Sequence, residues 1–273
     1  MKQIFLLLFA VNLFSYDRII ALSPSINEII YALGDGGKIV GNTTFCNYPK
    51  DAQSKAKVGG YFSPSLEKIL SLKPDIVIMQ KSSIKLASKL QKLGIKTQVV
   101  TLERLDDIKD TIAIIGDLLS KKKEAKKILN ILNNKLSNIK SIINNKKILI
   151  VIGHNLSLEK RIFVAGQNLY FDDIINVSGN TNALQSKRKG QPILNMENII
   201  ATNPDIVILL APFTKQKNLT HTQLINPWLN LPINAAKTEA IYVQDNEYAG
   251  ISSHRLIYFL EDFKGYLEDV KNR

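Results

Sequence analysis

The sequence is poor in the residues from which catalytic and metal centres are usually built. Its 273 residues include one cysteine and three histidines. Cys46 alone can form no intramolecular disulfide and no cysteine-based zinc site, and is read as a packed thiol. His154, His221 and His254 do not stand at metal-ligand spacing from one another, so no metal site is assigned. A phosphate loop, a G-x-G-x-x-G turn opening a helix, a G-x-S-x-G elbow and an H-E-x-x-H pair are all missing. Gly34-Asp35-Gly36-Gly37-Lys38 has the residue types of a phosphate loop without its spacing. No catalytic constellation is left, and the reading is a protein that is not an enzyme. An exported α/β enzyme is the rival class.

Long apolar runs are missing too, apart from one at the start. Ile4 to Val11 follows Lys2 and precedes Ser15, the pattern of a signal peptide over residues 1–15. That run is shorter than the ~20 residues a membrane span requires. No cysteine follows it to carry a lipid, so the expectation is a soluble protein exported to the periplasm. The chain carries a net charge of +12. Its lysines cluster in runs such as Lys121-Lys122-Lys123 with no interleaved aromatics, which is a solvated helix face and not a surface for stacking bases. Nucleic acid is therefore not expected as a partner. The hydrophobic share of 45% is enough for a real core and excludes disorder.

What the sequence does contain is an internal repeat. Ser65 to Ile78 aligns with Asn195 to Ile208 at an offset of 130, with 7 of 14 positions identical. Each copy reads as a short helix stopped by Pro74 or Pro204, followed by an unbroken apolar strand. A strand without alternation is covered on both faces, as in parallel α/β sheets. Two copies half a chain apart predict two similar lobes. Strands are expected at Arg18–Leu22, Lys38–Gly41, Ile76–Met79 and Thr97–Val100 in one half. Lys147–Ile152, Phe163–Ala165, Ile206–Leu210 and Ile241–Val243 are their counterparts in the other. Between them, apolar residues from Ile108 to Ile143 recur mostly three or four apart, which predicts one long helix over 106–143. The expected fold is α/β, with two Rossmann-like lobes built on parallel sheets and joined by one long backbone helix. Its divisions are a first lobe at 16–105, the helix at 106–143 and a second lobe at 144–273. Ser25 and Glu28 have the spacing of a capping box opening the helix after the first strand, where backbone N–H groups face the crevice of an α/β lobe.

Several segments in order resemble the class III periplasmic substrate-binding proteins of ABC importers, in the branch that carries vitamin B12, iron siderophores or haem. They are Arg18 to Glu28, Val40 to Pro49, Val58-Gly59-Gly60-Tyr61, the two glutamate-containing repeats, Val164-Ala165-Gly166, Asn226-Pro227-Trp228 with Leu231-Pro232, and the final helix bearing Arg255. The resemblance implies a bilobal monomer with limited closure and a ligand cleft between the lobes. It implies a metal-chelate ligand (cobalamin, an iron siderophore or haem), no resident cofactor, and permease subunits in the inner membrane as partners. Glu67 and Glu197 match the acidic residue that each lobe presents to arginines of the permease. Tyr61 matches a ligand-packing aromatic and Arg255 a ligand contact.

Strand-end placement adds Phe45, Gln80, His154, Phe213 and Tyr248 as ligand-binding candidates, because open α/β sheets bind ligands beyond the C-terminal ends of their strands. Tyr48 is read as loop packing, Trp228 as scaffold and His254 as a hydrogen-bonded structural residue. At Gln191 the chain departs from the resemblance, where family members carry a second cleft aromatic. A molybdate- or tungstate-type oxyanion is the alternative cargo, suited to helix N-termini and excess positive charge.

Overall fold

The computed structural model describes residues 16–273 except 160 and 189. The expected signal peptide, residues 1–15, lies outside the described residues.

All eight expected strands form, within one or two residues of their predicted ends. The first lobe holds β1 (Ile19–Ala21), β2 (Ile39–Asn42), β3 (Ala56–Lys57), β4 (Ile76–Gln80) and β5 (Lys96–Val100), in the order β3-β2-β1-β4-β5 with every pairing parallel. The second lobe holds β6 (Lys147–Ile152), β7 (Ile162–Val164), β8 (Thr181–Asn182), β9 (Ile193–Leu194), β10 (Ile206–Leu210) and β11 (Ile241–Gln244). Their order is β11-β10-β6-β7-β9, with β8 paired to β6. This second sheet is mixed and not wholly parallel as expected, because β7 runs antiparallel to both β6 and β9. The local sign is alternation: Ile162 and Val164 are buried while Phe163 between them is exposed.

The central strands explain their own sequence. In β1 and β4, Ile19, Ala21, Ile76 and Ile78 face one core, while Ile20, Val77 and Met79 face another. In β6 and β10, Ile148, Ile150, Ile206 and Ile208 face the first of these same cores, while Leu149, Val151, Val207 and Leu209 face a third. Alternate residues of each strand thus feed two apolar layers, which requires the unbroken runs seen in the sequence. The core common to both sheets is one continuous cluster that also contains Ile108, Ile112 and Ile115 between the lobes.

The helices are α1 (Pro24–Ala32), α2 (Leu66–Ser71), α3 (Ile84–Lys92), α4 (Leu105–Leu118), α5 (Lys122–Asn138), α6 (Tyr170–Val177), α7 (Met196–Thr202), α8 (His221–Leu229), α9 (Asn234–Lys237) and α10 (Leu256–Asn272). The expected single helix over 106–143 is two, α4 and α5. It breaks after Leu119, where Ser120 takes a left-handed φ of 58° and Lys121 N–H returns to Gly116 O at 2.6 Å. Gly116 permits the turn: a Cβ there would stand 2.5 Å from the Ala125 Cβ. The connection between lobes is therefore α4, which packs on α1 of the first lobe and α6 of the second. Its start is fixed by Arg104, which pairs with Asp173, and by Leu105 N–H, which donates to Asp173 Oδ2 at 2.8 Å.

The expected capping box at Ser25 and Glu28 is also replaced. Ser23 is the N-cap of α1, its Oγ accepting from Ile26 N–H at 3.2 Å, with Pro24 in the first turn. Glu28 is thereby one turn inside the helix and buried, free of any capping role. No helix among the described residues is long and apolar enough to cross a membrane.

Candidate functional site

Residues from both lobes line one cavity of about 260 Å³. Phe45, Asn47 and Tyr48, from the loop after β2, form one wall with Pro24 and Glu28 of α1. Phe213, following β10, and Glu247, Ile251 and Arg255, preceding and opening α10, form the other. A second cavity of about 340 Å³ shares Phe213, Glu247 and Arg255 and adds Tyr248 and Lys215. The chemistry of this cleft is apolar aromatic surface with few charges, suited to a ligand with flat faces and sparse polar groups.

The polar bridge between the lobes lies at its floor. Arg255 Nη1 donates to Glu28 Oε1 at 3.0 Å and Ser253 Oγ donates to Glu28 Oε2 at 2.5 Å. Ser25 and Ser252 hydroxyls meet at 3.1 Å beside them. The guanidinium lies 3.8 Å from the Tyr48 ring centre and 5.5 Å from that of Tyr248. With Tyr48 40% exposed, the contact contributes ~1 kcal/mol. Burial raises the Glu28 carboxyl above its usual range, outweighing the Ser253 hydroxyl and Arg255, which lower it. Tyr48, which the sequence assigns to loop packing, is thus a cleft residue stacked on Arg255.

The loop carrying Phe45 and Tyr48 is held from behind. Lys57 Nζ donates to Asn42 Oδ1, Ala52 O and Cys46 O, at 2.8, 3.0 and 3.3 Å. Asn42 bonds Asn27, which in turn donates to Tyr48 O at 3.0 Å. Cys46 is buried within this loop, its thiol beside Thr43 Oγ1, and burial raises its pKa.

The other candidates divide. Tyr248 lines the adjoining cavity, its hydroxyl donating to Asp262 Oδ2 at 2.6 Å; burial first, then Asp262, raises its pKa. Tyr61 and Gln80 meet each other, Tyr61 OH donating to Gln80 Oε1 at 2.9 Å, and neither lines the interlobe cavity. His154 meets Lys217 Nζ at 3.2 Å through Nδ1, and burial followed by Lys217 lowers its pKa. His254 is mostly buried; burial and then Arg255 lower its pKa to about 4. Among the described residues, no group of three or more His, Cys, Asp or Glu side chains is placed to hold a metal ion. Glu28, Tyr48 and Glu247 were missed in the sequence. The signal for Glu28 was its place one turn into the helix after the first strand.

Glu67 and Glu197 are exposed, each in the first turn of the corresponding helix of its lobe. Their N-caps also correspond: Ser65 Oγ accepts from Lys68 N–H, and Asn195 Oδ1 from Asn198 N–H.

Two α/β lobes clamped on a common core, with a cleft between them, define a bilobal binding protein. Residues 19–248 match the family described as periplasmic binding protein, and the chain belongs to that family. Membership implies an exported protein, and the relatives are binding proteins. The chain is 28% identical over 254 residues to an uncharacterized ABC transporter substrate-binding lipoprotein, YvrC, of Bacillus subtilis, covering 90% of this chain and 78% of that one. It is 24% identical to the vitamin B12-binding protein of Vibrio parahaemolyticus, over 94% of this chain and 91% of the relative. The fold is that of the periplasmic vitamin B12 binding protein BtuF of Vibrio cholerae, with a TM-score of 0.79 at 21% identity, covering 94% and 98% of the two chains.

Proposed function

We propose that this protein is the periplasmic substrate-binding component of an ABC importer, which captures a metal chelate (cobalamin, an iron siderophore or haem) and delivers it to permease subunits in the inner membrane without catalysing any reaction. The observation that carries this reading is the interlobe cavity walled by Phe45 and Tyr48 from one lobe and Phe213 from the other. Flat aromatic walls bury the faces of a large chelate while few rotors are frozen. Phe45, Phe213 and Arg255 form the centre of the ligand site and Tyr248 its extension. Gln80, Tyr61, which bonds it, and His154 are assigned to its outer margin, Gln80 and His154 by their places at strand ends.

Residues 16–105 and 144–273 are the two lobes; within 106–143, α4 joins them and α5 packs on α4 and α10. Residues 1–15 act as the export signal, and the protein works as a monomer. Glu67 and Glu197 meet the permease: two carboxylates, one on each lobe, fix the docking register.

Titration of the purified protein with cobalamin, haem, ferric siderophores and molybdate, followed by quenching of tyrosine and tryptophan fluorescence, tests the cargo. Saturable quenching by a chelate supports the reading, and binding of molybdate alone overturns it. Replacing Glu67 and Glu197 together with alanine abolishes uptake in cells and leaves ligand affinity unchanged; a fall in affinity overturns the docking role.

A further inference from the structure

Three charged side chains line the interlobe cavity: Glu28, Glu247 and Arg255. Glu28 and Arg255 bond each other, and the second Glu28 oxygen is taken by Ser253. Two polar groups are left over. Arg255 Nε is buried without a partner, in a residue only 8% exposed. Such a donor is costly to leave unmade, and a ligand atom that fills it recovers that cost. Glu247 is half-buried and belongs to none of the ion pairs among the described residues.

The cavity thus carries a formal charge of one negative unit inside a chain of net charge +12. An orphan donor on one lining residue and a free acceptor on another match a ligand group that is uncharged, accepts at one atom and donates at another. A carboxamide does both, its oxygen accepting from Arg255 and its N–H donating to Glu247. A ligand carboxylate would satisfy the arginine but face the half-buried Glu247 carboxylate, where like charges repel. Lys215 stands exposed on the adjoining cavity, where solvent screens it, and does not reverse this balance.

We infer that the cleft selects cargo presenting an uncharged carboxamide-type group to Arg255 and Glu247, and discriminates against carboxylate-bearing chelates and free oxyanions. This inference rests on the chelate-binding reading above. The test is calorimetric titration with cyanocobalamin, with its derivative in which one peripheral carboxamide is hydrolysed to a carboxylic acid, with haemin and with molybdate. The amide form binds about tenfold tighter than the acid form, one charge-assisted hydrogen bond's worth of discrimination. Glu247→Gln narrows the gap, and Glu247→Lys reverses the order. An acid form bound as tightly as the amide form, a preference for haemin or molybdate over cyanocobalamin, or an order that Glu247→Lys leaves unchanged overturns the inference but not the existence of a cargo site. Failure of every chelate to bind overturns the proposed function and the inference with it.

Discussion

The two lobes share a frame and differ where they meet the cleft. In both, an aspartate at the start of a central strand ties down the neighbouring strand. Asp75 accepts from Arg18 N–H and Asp205 from Lys147 N–H, each at 2.9 Å. In both, the residue two before that aspartate turns left-handed, Lys73 at φ 45° and Asn203 at φ 42°. At the cleft the first lobe presents the loop pinned by Lys57 and the start of α1, whereas the second presents the segment after β10 and the residues leading into α10. The repeat is kept where buried strands dictate sequence, and given up at the cleft, where they do not.

The largest effect expected concerns the core that both lobes share. Ile112 lies in the common cluster and Ile69 in the outer cluster of the first lobe, both fully buried. Alanine at either costs about 2–5 kcal/mol by denaturant unfolding. The two should nevertheless differ in reach: Ile112→Ala lowers amide-exchange protection in β4 and β10 together, and Ile69→Ala lowers it in β4 first. Equal, lobe-confined losses from Ile112→Ala would separate the lobes energetically.

Acid should act on the second lobe, which holds all three histidines. His254, with its pKa lowered to about 4, stays neutral in the folded protein while its unfolded counterpart takes up a proton below about pH 6.5. Stability from this group is present above that pH and is lost as pH falls towards 4, by about 3 kcal/mol. His254→Gln flattens this limb of the stability curve; an unchanged curve would place the sensitivity elsewhere.

The smallest effect compares the two left-handed residues. Lys73→Gly raises stability by about 0.5–1 kcal/mol, the left-handed penalty less the entropy cost of glycine. Asn203→Gly lowers it, because Asn203 Oδ1 accepts from Asn234 N–H at 2.9 Å. Thermal unfolding of the two variants reads the difference in sign.

Most of the frame was legible because a strand buried on both faces leaves an unmistakable apolar run, as at Ile206–Leu210. The turn at Leu119–Lys121 was not, since neither proline nor an adjacent glycine marks it. Its trace is the lapse in apolar spacing between Leu119 and Ile128, across the Gly116–Ala125 contact. Two-residue strands such as β3 and β8 are too short for periodicity to report. In the site, strand ends pointed to Phe45 and Phe213, and the family resemblance to Arg255. The Glu28–Arg255 pair joins residues 227 positions apart and cannot be read from spacing. The same is true of Lys57, whose three acceptors converge only once the loop is folded.

The apolar seam that runs unbroken from one sheet, through α4, to the other has a consequence for how far the lobes can part. Swinging the lobes wide would pull side chains out of that seam and wet them, so a large change of aperture carries a hydrophobic cost. Any change of aperture is therefore confined to movements that keep Ile108, Ile112 and Ile115 covered.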